Sequence, residues 1–134
     1  MRYLLDTNIC IYALKRQPPE VLERLKAVGR REVALSVITV LELRHGAHKS
    51  QQPEIAHSKL DFFLSPMRIL PFDERAAAEA AELRAHLDLQ GRPIGDLDSL
   101  IAGHALALDL ILVSNNLREF DRVPGLRVEN WVGP

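Results

Sequence analysis

The amino-acid sequence predicts an α/β fold in which a parallel sheet of about five strands is covered by helices on both faces. Short apolar runs alternate with segments of helical periodicity along the whole chain, and this alternation is typical of parallel sheets. The strand-like runs are almost continuously apolar, which indicates burial on both faces. A chain of 134 residues fits one domain, residues 1–134, and its 47% of hydrophobic residues is enough for a packed core.

The elements are predicted from apolar runs and from the residues that start and stop helices. Pro19 suits the first turn of a helix, Gly29 its end, and Asp73 the N-cap of a long alanine-rich helix. Pro71 places the third strand near an edge of the sheet. The predicted strands are 3–5, 33–36, 68–72, 110–113 and 126–128, and the predicted helices are 7–14, 19–28, 37–49, 54–64, 74–90 and 96–108.

The charge distribution neither requires nor excludes a nucleic-acid partner. The formal net charge is −1, but residues 1–60 have 10 Lys and Arg against 6 Asp and Glu, whereas residues 61–134 have 7 against 12. A basic first half permits binding to nucleic acid, and solvated helix faces explain the same residues.

Several absences in the sequence indicate a cytoplasmic protein without a membrane anchor. The single cysteine, Cys10, excludes an internal disulfide framework and is expected to be a buried small hydrophobe. Asp6 interrupts the first apolar run too early for a secretory signal. No apolar run approaches the roughly 18 residues that a membrane helix needs.

Two carboxylates occupy positions where a site role and a structural role are both open. Asp6 ends the first strand and precedes a helix, so it suits either a site at the sheet edge or an N-cap. Glu42 lies four residues after Ile38 and shares its face of a helix. A carboxylate there needs a partner, a proton or a metal, because burying it alone is costly. A salt bridge with Arg44 is the structural alternative.

Two further segments can join these acids. Asp98 lies in the first turn of a helix, where the helix dipole favours an acid whatever its function, and Asp96 suits the N-cap. Residues 114–119 begin where the fourth strand ends and include Glu119. By itself, this stretch is equally well explained as a loop.

Together, the four segments predict a metal site at the carboxyl edge of the sheet. The β–α alternation brings the first and fourth strand ends side by side, and the helix that contains Asp98 enters the same edge. Carboxylates without a matching Lys or Arg cluster repel one another, and a divalent cation removes that repulsion. Ligands that are all oxygen favour Mg²⁺, with Mn²⁺ as a substitute, and suit phosphodiester hydrolysis. His104 is interpreted as a packed helix residue.

Five blocks of sequence resemble a known family. They are LLDTNICIY at 4–12, SVITVLELRHGA at 36–47, GRPIG at 91–95, Asp98 with LIAGHA at 100–105, and the segment 115–126. In this order and spacing, they resemble the PIN-domain ribonucleases and, within them, the VapC toxins of type II toxin–antitoxin systems.

The resemblance implies a three-layer α/β/α domain with Mg²⁺-dependent endoribonuclease activity, inhibited by a cognate VapB-type antitoxin. It also implies a homodimer within a larger toxin–antitoxin complex. Asp6, Glu42 and Asp98 match the family's acids, and Glu119 takes the fourth position as in the VapC subgroup, although many PIN domains place an acid directly after the fourth strand. The predicted neighbours of these acids are Thr7, Asn8, Ser36, Ser114 and Asn116.

The mechanism that follows has Asp6 and Asp98 as main metal ligands, with Glu42 and Glu119 acting through water. Water attacks phosphorus and leaves a 5′-phosphate and a 3′-hydroxyl; the relatives suggest a structured RNA, with tRNA the leading candidate. Two alternatives remain open. An aspartate-based phosphatase requires a second Asp where this chain has Asn8, and a non-catalytic RNA-binding or repressor subunit would use the acids only as caps.

Overall fold

The sheet of this protein is parallel throughout and is built around its first strand. The structure, a computed structural model, describes residues 1–133. The strands are β1 (Tyr3–Leu5), β2 (Val33–Ser36), β3 (Arg68–Leu70), β4 (Ile111–Val113) and β5 (Val128–Glu129). Their order across the sheet is β3-β2-β1-β4-β5. Strand order therefore reverses at β1 and β4, which is where α/β folds bind ligands.

Within residues 1–133, seven α-helices connect or flank these strands. They are α1 (Thr7–Lys15), α2 (Pro19–Val28), α3 (Val37–His48), α4 (Pro53–Leu64), α5 (Glu74–Leu89), α6 (Asp96–Leu108) and α7 (Leu117–Phe120). A 3₁₀ turn at Arg30–Glu32 precedes β2. In residues 1–133, no helix has both the length and the apolar character to span a membrane.

Alternation along the central strand produces the three layers. Tyr3 and Leu5 face one apolar cluster, which contains residues of α1, α2, α3 and α4. Leu4 faces the other, which is built mainly from α5 and α6. The second layer is tightly packed, because a Cβ placed on Gly103 of α6 would lie 2.6 Å from the backbone of Ala80 on α5. The predicted α/β/α architecture with five parallel strands is confirmed.

Most predicted boundaries agree with the structure to within two residues. β3 lies at the sheet edge as expected but ends at Leu70, before Pro71, which has no N–H to donate. β5 begins at Val128, later than predicted, because its register follows β4, where Val128 pairs with Leu112. The polar segment after β4, for which a loop was one of two open interpretations, contains the short helix α7.

The N-cap of α6 differs from the expected one. Gly95 occupies this position without a side-chain cap, and Asp96 is the first helical residue. The Asp96 carboxylate instead forms an ion pair with Arg84 on α5, at 3.0 Å. Asp98 does not cap the helix either, which leaves its carboxylate available to the site described next.

Candidate metal and active site

Asp6 is held at the carboxyl end of β1 by the start of α1. Its side chain caps this helix, because Oδ1 accepts the backbone N–H of Ile9 at 2.9 Å. The carboxylate is buried, and burial raises its pKa, as does the charge of Glu42. The Ser114 hydroxyl and nearby backbone N–H groups lower the pKa in part. Asp6 therefore does cap α1, and its second carboxylate oxygen, Oδ2, takes no part in this capping bond.

Glu42 is positioned by α1 as well as by its own helix, α3. Its Oε1 accepts a hydrogen bond of 2.6 Å from the hydroxyl of Thr7, the residue that follows Asp6. The alternative salt bridge with Arg44 does not form, because the Arg44 guanidinium contacts Asp61 and His57 on α4. Thr7 therefore connects the acid of α3 to the end of β1.

Asp98 and Glu119 form the other half of the acidic group. Glu119 accepts hydrogen bonds from the backbone N–H of Gly95 and from the side-chain amide of Asn116, the latter at 2.6 Å. A Cβ on Gly95 would lie 3.3 Å from Oδ2 of Asp98 and 3.5 Å from Oε1 of Glu119. The absence of a side chain at Gly95 therefore leaves room for two carboxylates beside each other.

The electrostatics of the site show that all four acids share one environment. The pKa of Asp98 is raised from 3.8 to about 7 by burial, by its hydrogen bond with Glu119, and then by the charges of Glu119, Asp6 and Glu42. Burial alone would raise the pKa of Glu119, but the bond from Gly95 and those with Asp98 and Asn116 lower it overall. The environment therefore favours protonation of Asp98 over protonation of Glu119.

The donor set fits a hard divalent cation better than zinc. Across residues 1–133, no Lys or Arg forms an ion pair with Asp6, Glu42, Asp98 or Glu119. Nor do any three carboxylate, imidazole or thiol groups in this range converge as direct ligands of one metal ion. Zinc sites need three or four protein ligands, whereas Mg²⁺ keeps several waters and uses one or two carboxylates.

The predicted neighbours of the acids fall into two groups. Thr7, Ser114 and Asn116 interact with an acid, and the Ser114 hydroxyl also accepts the backbone N–H of Asn116 at 2.9 Å. Asn8 is exposed, and only its backbone N–H acts on Asp6. Ser36 is fully buried and caps α3, and its hydroxyl contacts His104 at 2.8 Å.

Three further interactions were not predicted from the sequence. The N–H of Gly95 bonds Glu119, and the side-chain amide of Asn115 donates to the Tyr12 hydroxyl at 3.1 Å beside the site. His104 is buried as predicted, but it also joins α6 to Ser36 at the end of β2. Of these three interactions, only the bond from Gly95 could have been suspected from the sequence, where a glycine directly precedes a helix whose first turn contains two acids.

Comparison with known proteins identifies the family of this chain. The PIN domain family matches residues 3–126. Ribonuclease VapC2 of Haemophilus influenzae is 48% identical over 132 residues, 98% of this chain and 99% of its own length. The tRNA(fMet)-specific endonuclease VapC of Shigella flexneri is 44% identical over 131 residues, 98% of each chain.

Solved structures of similar sequence share the whole fold. The DNA-bound VapBC complex of Salmonella typhimurium contains a chain that matches with a TM-score of 0.93 and 40% identity, over 98% of both chains. VapBC2 of Rickettsia felis, bound to a promoter DNA fragment, matches with a TM-score of 0.91 and 41% identity, over 98% of this chain and 99% of that one. The chain described here belongs to the PIN-domain family and, within it, to the VapC ribonucleases.

Proposed function

We propose that this chain, as a single PIN domain, is the toxin of a toxin–antitoxin pair and cleaves structured RNA, with tRNA as its substrate, in the cytoplasm. The observation that supports this most directly is the group of four carboxylates at the carboxyl edge of β1 and β4, with no cation paired to any of them in residues 1–133. Such a group is unfavourable in the free protein and useful only when something positive binds.

Asp6 and Asp98 would hold a Mg²⁺ ion directly, and Glu42 and Glu119 would reach it through water. When bound, Mg²⁺ activates water and neutralises the charge that develops on the phosphate. The fit rests on the all-oxygen donor set and on the raised pKa of Asp98, which a cation would lower by favouring the ionised carboxylate. Mn²⁺ suits the same ligands.

The residues around the acids restrict how each carboxylate can move. Ile9 fixes one oxygen of Asp6, Thr7 fixes Oε1 of Glu42, and Gly95 with Asn116 fixes both oxygens of Glu119. The second oxygen of Glu42 stays available to accept a proton from the attacking water. The reaction leaves a 5′-phosphate and a 3′-hydroxyl and does not need the 2′-hydroxyl, so a preference for RNA comes from its shape.

The substrate and the partner are proposed from the relatives. The Shigella flexneri relative is named as specific for tRNA(fMet), and the structural neighbours are VapBC toxin–antitoxin complexes.

A groove of about 300 Å³ between α1, α3 and α4 has mostly apolar walls and reaches Glu42. An antitoxin segment in this groove would end beside the acids. The exposed Val37 and Leu41 on α3 offer apolar surface for a second copy of the chain.

The test of this function is cleavage of an end-labelled total tRNA pool by antitoxin-free protein, with Mg²⁺ and with EDTA. We expect discrete cuts that require Mg²⁺, disappear in Asp98→Asn, and persist in Asp88→Asn, which removes an exposed carboxylate on α5. Cleavage that survives both EDTA and Asp98→Asn would contradict the proposal. RNA that is bound but never cut would favour the non-catalytic alternative.

A further inference from the structure

The edge of the sheet opposite the acids has an arginine-lined depression. Arg30, Arg31, Arg68 and Pro66 surround a volume of about 390 Å³. Arg30 and Arg31 lie in the 3₁₀ turn before β2, and Arg68 is the first residue of β3, the neighbouring strand. Because the two strands are parallel and adjacent, their amino ends bring these three side chains together.

The positive charge of this depression is not neutralised by the protein. The ion pairs found in residues 1–133 include none of its three arginines. The nearby carboxylate of Glu32 is already paired with the amino terminus of Met1 at 3.1 Å and with Arg2 at 2.7 Å. Three guanidinium groups around one concavity repel one another unless an anion lies between them.

Arg30 adds a second and independent observation. Its Nη1 atom is buried and has no hydrogen-bond acceptor among the described residues. The guanidinium lies over the ring of Phe63, 5.7 Å from its centroid, which restricts its orientation. A buried donor without an acceptor is costly in a folded protein. Because Nη1 is closed to solvent, the Arg30 side chain must turn toward the depression before a bound anion can accept this hydrogen bond.

We infer that the depression formed by Arg30, Arg31, Arg68 and Pro66 binds phosphate groups of an RNA strand at a second site, remote from the acids. The planar donor groups of arginine match phosphate oxygens in pairs. An acidic protein segment is the less suitable occupant, because protein interfaces rely on buried apolar anchors and Pro66 is the only apolar residue of the lining. In naming RNA as the source of the phosphate, the inference rests on the proposed function.

This placement predicts that the two edges of the sheet bind different parts of one RNA. β2 has four residues, so the edges are separated by roughly 13 Å along the strands. A strand that contacts both must extend beyond the nucleotides at the acids. The depression would therefore contribute to the binding of long or folded RNA and not to the reaction itself.

The test is the binding of a 5′-fluorescein-labelled single-stranded RNA of about 20 nucleotides, measured by fluorescence anisotropy in EDTA so that no cleavage occurs. We expect Arg31→Gln/Arg68→Gln to weaken binding roughly 10-fold and to reduce the slope of log K against log salt by about 1.4, since each phosphate contact contributes about 0.7. The matched control, Lys49→Gln/Lys59→Gln, removes the same charge from two exposed side chains that form no ion pair in residues 1–133, and it should change affinity less than about two-fold.

The outcomes separate this inference from the proposed function. Equal losses in the two double variants would overturn the inference, because the effect would then come from net charge alone. If Arg31→Gln/Arg68→Gln lost affinity for duplex DNA of the same length but kept its affinity for the RNA, the assignment to RNA would be overturned. Inorganic pyrophosphate should compete with RNA for the wild-type protein and much less for Arg31→Gln/Arg68→Gln. Cleavage of a short RNA with Mg²⁺ should persist in this variant, so loss of enzyme activity and loss of the second site are measured independently.

Discussion

Replacing Asp98 by Asn should stabilise the metal-free protein at pH 8 while abolishing RNA cleavage. The ionised carboxylate is unfavourable in the folded state because it is half-buried and lies beside Glu119, which raises its pKa from 3.8 to about 7. That difference corresponds to roughly 4 kcal/mol as an upper limit. Since half of the side chain is exposed, solvent screening reduces the free energy to about 1–2 kcal/mol.

The pH dependence of this effect has a defined sign. Between about pH 4 and pH 7, folded Asp98 keeps a proton that the unfolded chain has released, so the stability of the wild-type protein declines as pH rises. Above about pH 7 the unfavourable free energy is complete, and near pH 4 it is nearly absent. The advantage of Asp98→Asn should therefore be large at pH 8 and small at about pH 4.5.

Thermal denaturation in EDTA measures this difference directly. We expect the midpoint of thermal unfolding at pH 8 to rise by roughly 3–8 °C in Asp98→Asn. Asp88→Asn, an exposed acid on α5, should leave the midpoint unchanged. Mg²⁺ should stabilise the wild-type protein more than Asp98→Asn, because the variant lacks a charged ligand. A variant that is less stable than wild type at pH 8, or equally stabilised at both pH values, would refute this account of the site.

Two further substitutions test how the acids are held in place. Thr7→Val removes the hydrogen bond to Glu42 while keeping the side-chain shape, and a bond to a charged group contributes about 1.5–3 kcal/mol, so cleavage should fall at least about 10-fold. Thr7→Ser should recover most of the rate, and an unchanged rate in Thr7→Val would exclude this role. Gly95→Ala places a Cβ 3.3 Å from Asp98, so it should weaken Mg²⁺ binding, measured by calorimetry. Gly46→Ala, whose Cβ meets no atom within 4 Å outside the adjoining helix backbone in the last turn of α3, should instead stabilise the fold by about 0.4–1 kcal/mol without affecting Mg²⁺ binding.

Local features of this protein were determined by the sequence itself. β1 and β2 have the predicted bounds, and α1 and α5 begin at the predicted caps, because capping bonds join residues two or three positions apart. Asp73, for example, accepts the N–H of Ala76 at 3.0 Å. The spacing of the sequence blocks also indicated the family, and with it the acids to consider as site residues.

Features that depend on distant segments were decided by the tertiary structure. Asp96 fits a cap by its sequence context, yet its carboxylate forms an ion pair with Arg84 on another helix. β5 is too weakly apolar to define its own register, and its pairing with β4 sets where it begins. Neither outcome is contained in the few residues on either side of these positions.

The same division holds for the candidate site. The sequence identified Glu42 as an acid in need of a partner and Asp98 as a site acid only in combination with the other segments. The partners of both lie far along the chain: Thr7 is 35 residues from Glu42, and Glu119 follows Asp98 on a different helix. The pKa of a carboxylate depends on its burial and on the charges around it, and both quantities exist only once the chain has folded. Residue types and spacing thus determined which chemistry this protein can carry out, whereas the tertiary structure decided which carboxylate has a raised pKa and which groups hold each carboxylate in place.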